Sequence, residues 1–329
     1  MIDAWARLDA LAKPHRSLGR LEMLAARLAT IQRRLDPVTR PRRIVLFAAD
    51  HGVTAQGVSA WPSAVTGLMM ATIIAGRATS SALARAHDCD LRLVDVGAVS
   101  PPKPPHPDFY VAAPVAPGTA DLSLRPAMTA AQFETAWAVG ADEARLAAAG
   151  HAVLIAGEMG IGNTTAAACL TALLADIPVD IAVGRGAGAD DAMLAVKAGI
   201  VAAAVARARM EAEAQTAIAA VAGFEIVAMA GFFAAGAAAG ATLLLDGYVA
   251  TAAALIAERL APGTARSMIA AHLSAEPGHA AALAALGLEP LLDWGMRLGE
   301  GTGALVALPM LDSAAALLSD VALLSDLGA

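Results

Sequence analysis

The sequence predicts an α/β protein: a six-stranded parallel, Rossmann-like sheet flanked by helices. Three observations predict it. From residue 43 onward, a short apolar run, a cluster of glycine and polar residues, and a helical stretch recur six times. The runs are mostly apolar rather than strictly alternating, which marks strands covered on both faces. Hydrophobic residues make up 57% of the 329 positions and charged ones 16%, enough for a sizeable core.

Residues 4–36 read as helical, interrupted at Pro14 and Gly19. The first strand is 44–48, closed by Ala49-Asp50-His51-Gly52-Val53, and the second is 91–96, closed by Gly97. The third is 153–155, after which Gly157, Gly160 and Gly162 break the chain and Thr164 and Thr165 open an alanine-rich helix. The fourth is expected at 180–183, before Gly184-Arg185-Gly186-Ala187-Gly188. The fifth is 242–245, ending in Asp246-Gly247, and the sixth is 268–271, ending in the run from His272 to His279. Helices are expected over 62–87, 130–149, 164–175, 190–215, 224–239 and 248–260. Right-handed crossovers bring every strand's C-terminal end to one rim, where such folds bind ligands. Residues 100–127, starting with Pro101-Pro102-Lys103-Pro104-Pro105, interrupt the rhythm and read as a lid or interface arm. Beyond His279 the chain returns to helix, broken at 298–304.

A net charge of −7 argues against a nucleic-acid partner. Cys89 and Cys169 lie far apart, offering neither a disulfide framework nor a zinc spacing, so a reducing cytoplasm is expected. The first 22 residues carry charges throughout and show no signal-peptide core. Residues 226–245 hold no charge over a span-length window, yet they are mostly alanine and glycine with acidic flanks, Glu225 and Asp246. They divide into a helix and a strand, and no membrane partner is expected.

The chemistry concentrates in 153–165, VLIAGEMGIGNTT. A strand, a glycine turn and a helix N-terminus form an anion site, because unpaired N–H groups and the helix dipole both favour negative charge. Asn163, Thr164 and Thr165 add side-chain donors. No lysine follows the glycines as in a P-loop, and Gly160-x-Gly162 lacks the third glycine of a dinucleotide fingerprint. A plain tight turn is the alternative, but Glu158 beside an anion cradle calls for a role. Gly184-x-Gly186-x-Gly188 is a second glycine-rich strand end, suggesting two loops on one phosphorylated ligand, with Arg185 as a helper. Lys197, two turns into the next helix, reads as a surface lysine. Asp50-His51 reads either as a catalytic or metal-binding pair or as a capped turn with a solvated histidine. His272 and His279 are seven apart, not the i, i+4 pair of a helical zinc site, and no metal is expected. Glu300, between Gly299 and Gly301, is either a catalytic carboxylate or a solvated loop acid.

Together, AADHGV (48–53), GEMGIGNTT (157–165), GRGAG (184–188), LLDGYVATAAAL (244–255), HLSAEPGH (272–279) and LGEGTGALVALPML (298–311) resemble the nicotinate-nucleotide–dimethylbenzimidazole phosphoribosyltransferase family. KPHRSLGRLE (13–22) is similar to that family's KP-x-x-SLG-x-LE, with Arg16 where glycine is commoner. The resemblance implies a six-stranded α/β domain over 40–280, a small helical domain from 1–39 and 281–329, and a homodimer. It implies transfer of phosphoribose from nicotinate mononucleotide to 5,6-dimethylbenzimidazole or a related base, in cobamide lower-ligand assembly, with no cofactor.

The pyridinium of the donor is already cationic, so nicotinate leaves without an acid, and one general base suffices. By match to the family's LGEG, Glu300 is that base and Glu158 a second carboxylate. The implied substrate-binding residues are Asp50, His51, Trp61, Met69, Gly160, Gly162, Asn163, Thr164, Gly184, Gly186, Gly188, Lys197 and Leu298. Trp61 and Met69, around Pro62, stand where some members carry Ser and Gln, which implies a more apolar base pocket. Two other readings are a nucleotide kinase, for which Asn163 stands where the lysine is needed, and a non-catalytic binder of phosphorylated nucleosides or benzimidazoles.

Overall fold

The structure is a computed structural model that describes residues 3–186 and 188–327. Its sheet consists of β1 (Arg42–Ala49), β2 (Asp90–Gly97), β3 (Tyr110–Ala112), β4 (Val153–Met159), β5 (Thr242–Leu245) and β6 (Met268–Ala270). The order is β3-β2-β1-β4-β5-β6 and every neighbouring pair is parallel, as the apolar runs predict. Helices α1 (Ala4–Asp9), α2 (Arg20–Gln32), α3 (Val65–Ile74) and α4 (Thr79–Ala86) precede or cross the first half. Then come α5 (Ala130–Ala148), α6 (Asn163–Leu174), α7 (Val179–Ala182), α8 (Asp191–Ala208), α9 (Ala214–Ala219), α10 (Phe224–Ala238), α11 (Tyr248–Leu260), α12 (His279–Ala285) and α13 (Thr302–Asp320).

Successive side chains of a strand point to opposite faces, and each face has its own core. Val45 and Phe47 pack with Phe133 of α5, Val201 of α8, Phe232 of α10 and Leu255 of α11. Ile44 and Leu46 pack the other way, against Leu28 of α2, Met70 of α3, Ala84 of α4 and Leu308 of α13. Both chain ends therefore cover the same face of the sheet. On the opposite face α5 and α10 meet backbone to backbone: a Cβ on Gly140 would collide with the Ala228 carbonyl, and one on Gly231 with that of Trp137. The alanine-rich helices serve this close packing. Among the described residues α13 alone is long and apolar enough to cross a membrane by length and composition, and much of it is core. The uncharged stretch at 226–245 divides into α10 and β5 as expected.

The structure corrects several expected elements. Residues 180–183 are not a strand. Pro178 opens the helical turn α7 there, and Tyr248 Oη holds its end by donating to Ala182 O at 2.7 Å. The place beside β4 is already taken by β5, through Val153↔Thr242 and Leu154↔Leu243. The sixth strand is instead β3, inside the proline-rich segment, where Leu93 pairs with Tyr110 and Asp95 with Ala112. That part of the expected lid is built into the sheet edge. The helix expected at 62–87 is two, separated at Gly76 (φ 69°), and the one at 190–215 ends at Ala208 before α9.

Candidate active site

A cleft, partly open to solvent, lies over the C-terminal ends of β4, β5 and β6. Glu158, Gly160, Asn163, Thr164, Gly186, Leu298 and Glu300 line it, so the strand-four turn, the second glycine loop and the Glu300 turn do converge.

Glu300 sits in a run of three left-handed residues, Gly299 (φ 88°), Glu300 (φ 57°) and Gly301 (φ 71°). A non-glycine residue in that region is uncommon, and when it recurs at a cleft it marks constraint by the surroundings. The constraint is visible. A Cβ on Gly301 would strike Ile44 Cδ1, and one on Gly299 would strike Glu158 Oε1. Asp246, at the end of β5, accepts from Gly301 N at 3.0 Å and Ala304 N at 3.1 Å. Ser80 Oγ donates to Glu300 Oε2 at 3.0 Å. Glu300 is 4% exposed, and burial pushes its carboxyl above the usual range, with Ser80 opposing and the Asp246 charge adding.

Glu158 ends β4 against Gly299 and accepts from Asn163 Nδ2. Burial pushes its carboxyl up to about 8, with Glu225, Asp246 and Glu300 adding their charges. At neutral pH it holds a proton. Gly162 (φ 93°) then caps α6 in the left-handed conformation without any side-chain cap, and a Cβ there would lie 2.7 Å from Thr54 Cγ2. Gly160 packs against the Ala49 carbonyl, where a Cβ would lie 2.5 Å from the oxygen. The opening of α6 therefore faces the cleft at Asn163 and Thr164.

Lys197 is not a surface lysine. It is 0% exposed, and its Nζ donates to Thr164 Oγ1 at 2.8 Å and Gly184 O at 2.9 Å. Burial pushes its ammonium down to about 8, against the pull of Glu276. It stands behind the cleft wall and ties α6 to the second glycine loop. Arg185 pairs with Asp191 and does not line the cleft; Arg297 does, and its Nη1 donates to Gly186 O at 3.0 Å.

Asp50 and His51 lie outside the cleft lining, and His51 is not solvated. Its Nε2 meets Glu225 Oε1 at 2.6 Å, with both side chains 0% exposed. A Cβ on Gly160 would lie 3.3 Å from either atom, so this pair backs the turn that follows β4. Asp50 accepts from Ser63 Oγ at 2.7 Å and Val99 N at 2.8 Å, fastening two loops. Trp61 is exposed and Met69 packs at the edge of the α3 core; neither lines the cleft of its own chain. Gly162, Gly184 and Gly188 are also outside the lining, Gly184 because the Glu276 carboxyl and Pro277 fill the space over it.

Among the cleft residues quoted in sequence motifs without a role are Asp246, His272, Ser274 and Glu276. Their signal is position, since each follows a strand at the shared rim. Ser80 and Glu225 had no such signal.

A family model described as Phosphoribosyltransferase matches residues 1–328. A protein of Ralstonia nicotianae named nicotinate-nucleotide–dimethylbenzimidazole phosphoribosyltransferase is 46% identical over 98% of this chain and 92% of its own. One of the same name from Thermus thermophilus is 47% identical over 95% and 93%. A crystal structure of CobT from Thermus thermophilus superposes with a TM-score of 0.95 at 46% identity, covering 99% of this chain and 97% of that one.

Proposed function

The chain belongs to the nicotinate-nucleotide–dimethylbenzimidazole phosphoribosyltransferase family, and from that premise we propose how its residues carry the reaction. The enzyme transfers phosphoribose from nicotinate mononucleotide to 5,6-dimethylbenzimidazole, giving α-ribazole 5′-phosphate and nicotinate. The bond from C1′ to the pyridinium nitrogen breaks and its electron pair neutralises that nitrogen. A benzimidazole nitrogen bonds C1′ from the opposite face, and the proton on the other nitrogen passes to Glu300. The observation that carries this assignment is the buried, left-handed Glu300 at the cleft, bonded by Ser80, with its carboxyl pushed above the ordinary range by burial.

The 5′-phosphate sits at the uncapped opening of α6, on Asn163 and Thr164 and against Gly186. Lys197 supports Thr164 from behind. Glu158, protonated, adds no negative charge beside the phosphate and keeps Gly299 in place. His51 with Glu225, and Asp50, act on substrate only through the turns they hold. Trp61 and Met69 reach a base only in the cleft of a second copy.

A cytoplasmic homodimer without nucleic-acid or membrane partners belongs to the same reading. Exposed Trp61, Leu68 and Val99 support the dimer, α3 and the loop after β2 meeting where Gly67 packs on Ser100. Sedimentation showing an active monomer at micromolar concentration would rule the dimer out. The packing of α1, α2 and α13 on one another supports a terminal unit of 1–39 and 281–329 beside 40–280. The function is tested by mixing the protein with nicotinate mononucleotide and a panel of benzimidazoles, purines and phenols, and identifying products by mass. An α-ribosyl phosphate of at least one benzimidazole is expected; no product with any base would overturn the reading.

A further inference from the structure

Glu276 takes no part in the proton transfer just described, yet it lines the cleft with a carboxyl whose inner oxygen, Oε2, has no hydrogen-bond donor among the described residues. The residue is 7% exposed. A buried acceptor without a donor is unfavourable and uncommon in folded proteins.

The side chain is held where it stands. The loop from β6 to α12 is fixed by His279, whose Nδ1 accepts from Ser274 N at 2.7 Å and whose Nε2 meets Thr251 Oγ1 at 2.8 Å. Burial pushes the His279 imidazole down to about 3, so it stays neutral and keeps both bonds. Pro277 follows, and the bare Cα of Gly184 lies directly against Glu276 Oε2, where any Cβ would collide. Lys197 does not bond this oxygen; its Nζ goes to Gly184 O and Thr164 Oγ1.

The same three groups locate Glu276 relative to the donor nucleotide. Gly184 O and Thr164 Oγ1 share one ammonium, so the carboxyl stands beside the phosphate end of the cleft. A carboxylate there repels phosphate and accepts only hydrogen-bond donors. Phosphate and the nicotinate carboxylate are therefore unsuited to it, and the neutral hydroxyls of the sugar, one ring from the phosphate, are suited. We propose that Glu276 accepts the vicinal ribose hydroxyls of the donor nucleotide and makes the enzyme select ribo- over deoxyribonucleotides. This rests on the reading that nicotinate mononucleotide is the donor.

The test compares kcat/KM for nicotinate mononucleotide and its 2′-deoxy and 3′-deoxy analogues, in the wild type and in Glu276→Gln. Removing the 2′-hydroxyl makes the C1′ bond intrinsically easier to break, so any loss with that analogue belongs to the enzyme. For the wild type, at least one deoxy analogue is expected to fall by on the order of a hundredfold or more. In Glu276→Gln the ribo donor falls towards the deoxy donor, and the gap closes to roughly tenfold or less. Wild-type turnover of both deoxy donors within about threefold of the ribo donor would overturn the inference, without any variant having to fold. So would an unchanged gap in a Glu276→Gln protein with wild-type circular dichroism. If the wild type turns over no mononucleotide at all, the donor reading itself fails, which is a different result.

Discussion

Two helices in this molecule open in the same way and end up with opposite duties. α6 and α13 each follow a glycine-flanked turn, each has a left-handed glycine at the cap (Gly162, φ 93°; Gly301, φ 71°), and neither cap residue offers a side chain. The opening of α6 is left to the cleft, with Asn163 and Thr164 on its first turn. That of α13 is closed from behind by Asp246, which accepts from Gly301 N and Ala304 N. The first can bind an anion. The second cannot, and what it presents instead is the Glu300 carboxyl. Backbone geometry makes a helix start, but a single carboxylate from a neighbouring strand decides whether that start attracts charge or displays it.

The largest expected effect comes from removing what the closed opening displays. Glu300→Gln keeps the shape and the Ser80 contact but cannot take a proton. Turnover should fall by roughly a hundredfold to ten-thousandfold while donor affinity at the α6 opening stays within a few fold. Steady-state rates with equilibrium binding of nicotinate mononucleotide check this; near wild-type turnover would mean that Glu300 is not the base.

Opening the closed end is the next step down. Asp246→Ala leaves Gly301 N and Ala304 N without their acceptor, at a cost of about 1–3 kcal/mol of stability. It also loosens the Glu300 turn, so kcat should drop by roughly tenfold or more while KM for the donor changes little. A variant with unchanged kcat would show that the glycines alone hold Glu300 and that the comparison with α6 is superficial.

The smallest effect sharpens the electrostatic side. Glu158 has a folded-state value of about 8, against an ordinary 4.5, so the native protein keeps a proton that the unfolded chain releases. Its contribution is fully present below 4.5 and is lost as pH rises towards 8. Glu158→Gln removes this dependence. Thermal unfolding should find the variant several degrees more stable than wild type at pH 8 and equal to it only below the unfolded value, near pH 4. Parallel Tm profiles for the two proteins would mean that Glu158 ionises normally.

Much of this arrangement is legible in the sequence, and the exceptions have physical reasons. β1, β2, β4 and β5 announce themselves as mostly apolar runs ending in glycine or acid, and β6 as one ending in His272. β3 does not, because a three-residue edge strand among prolines carries too little pattern, its pairing being supplied by β2. Residues 180–183 mislead in the opposite sense, since four residues cannot separate a strand from a helical turn and Pro178 tips the choice. At the site, Glu158 and Glu300 stand out as acids set among glycines. Lys197 and His51 look like solvated residues because burial is a property of the assembled layers: α8 carries Lys197 in against α6 and the Gly184 loop, and α10 closes over His51. Asp246 closing α13 joins positions far apart in the chain, which no local spacing reports.

The seating of the Glu300 turn also sets an order of events during synthesis. Gly301 rests on Ile44 and Ile155, and α13 packs with α2, from the opposite end of the chain, over the same face of the sheet. A ribosome delivers the α6 cradle long before it delivers α13, and nascent domains assemble from the N-terminal side. Until α13 has emerged, nothing holds residue 300 in its left-handed conformation and one side of the sheet stays bare. The proposed proton acceptor is the last part of the cleft to arrive, so on this reading an unfinished chain has the α6 opening proposed for phosphate but no Glu300 to take the proton.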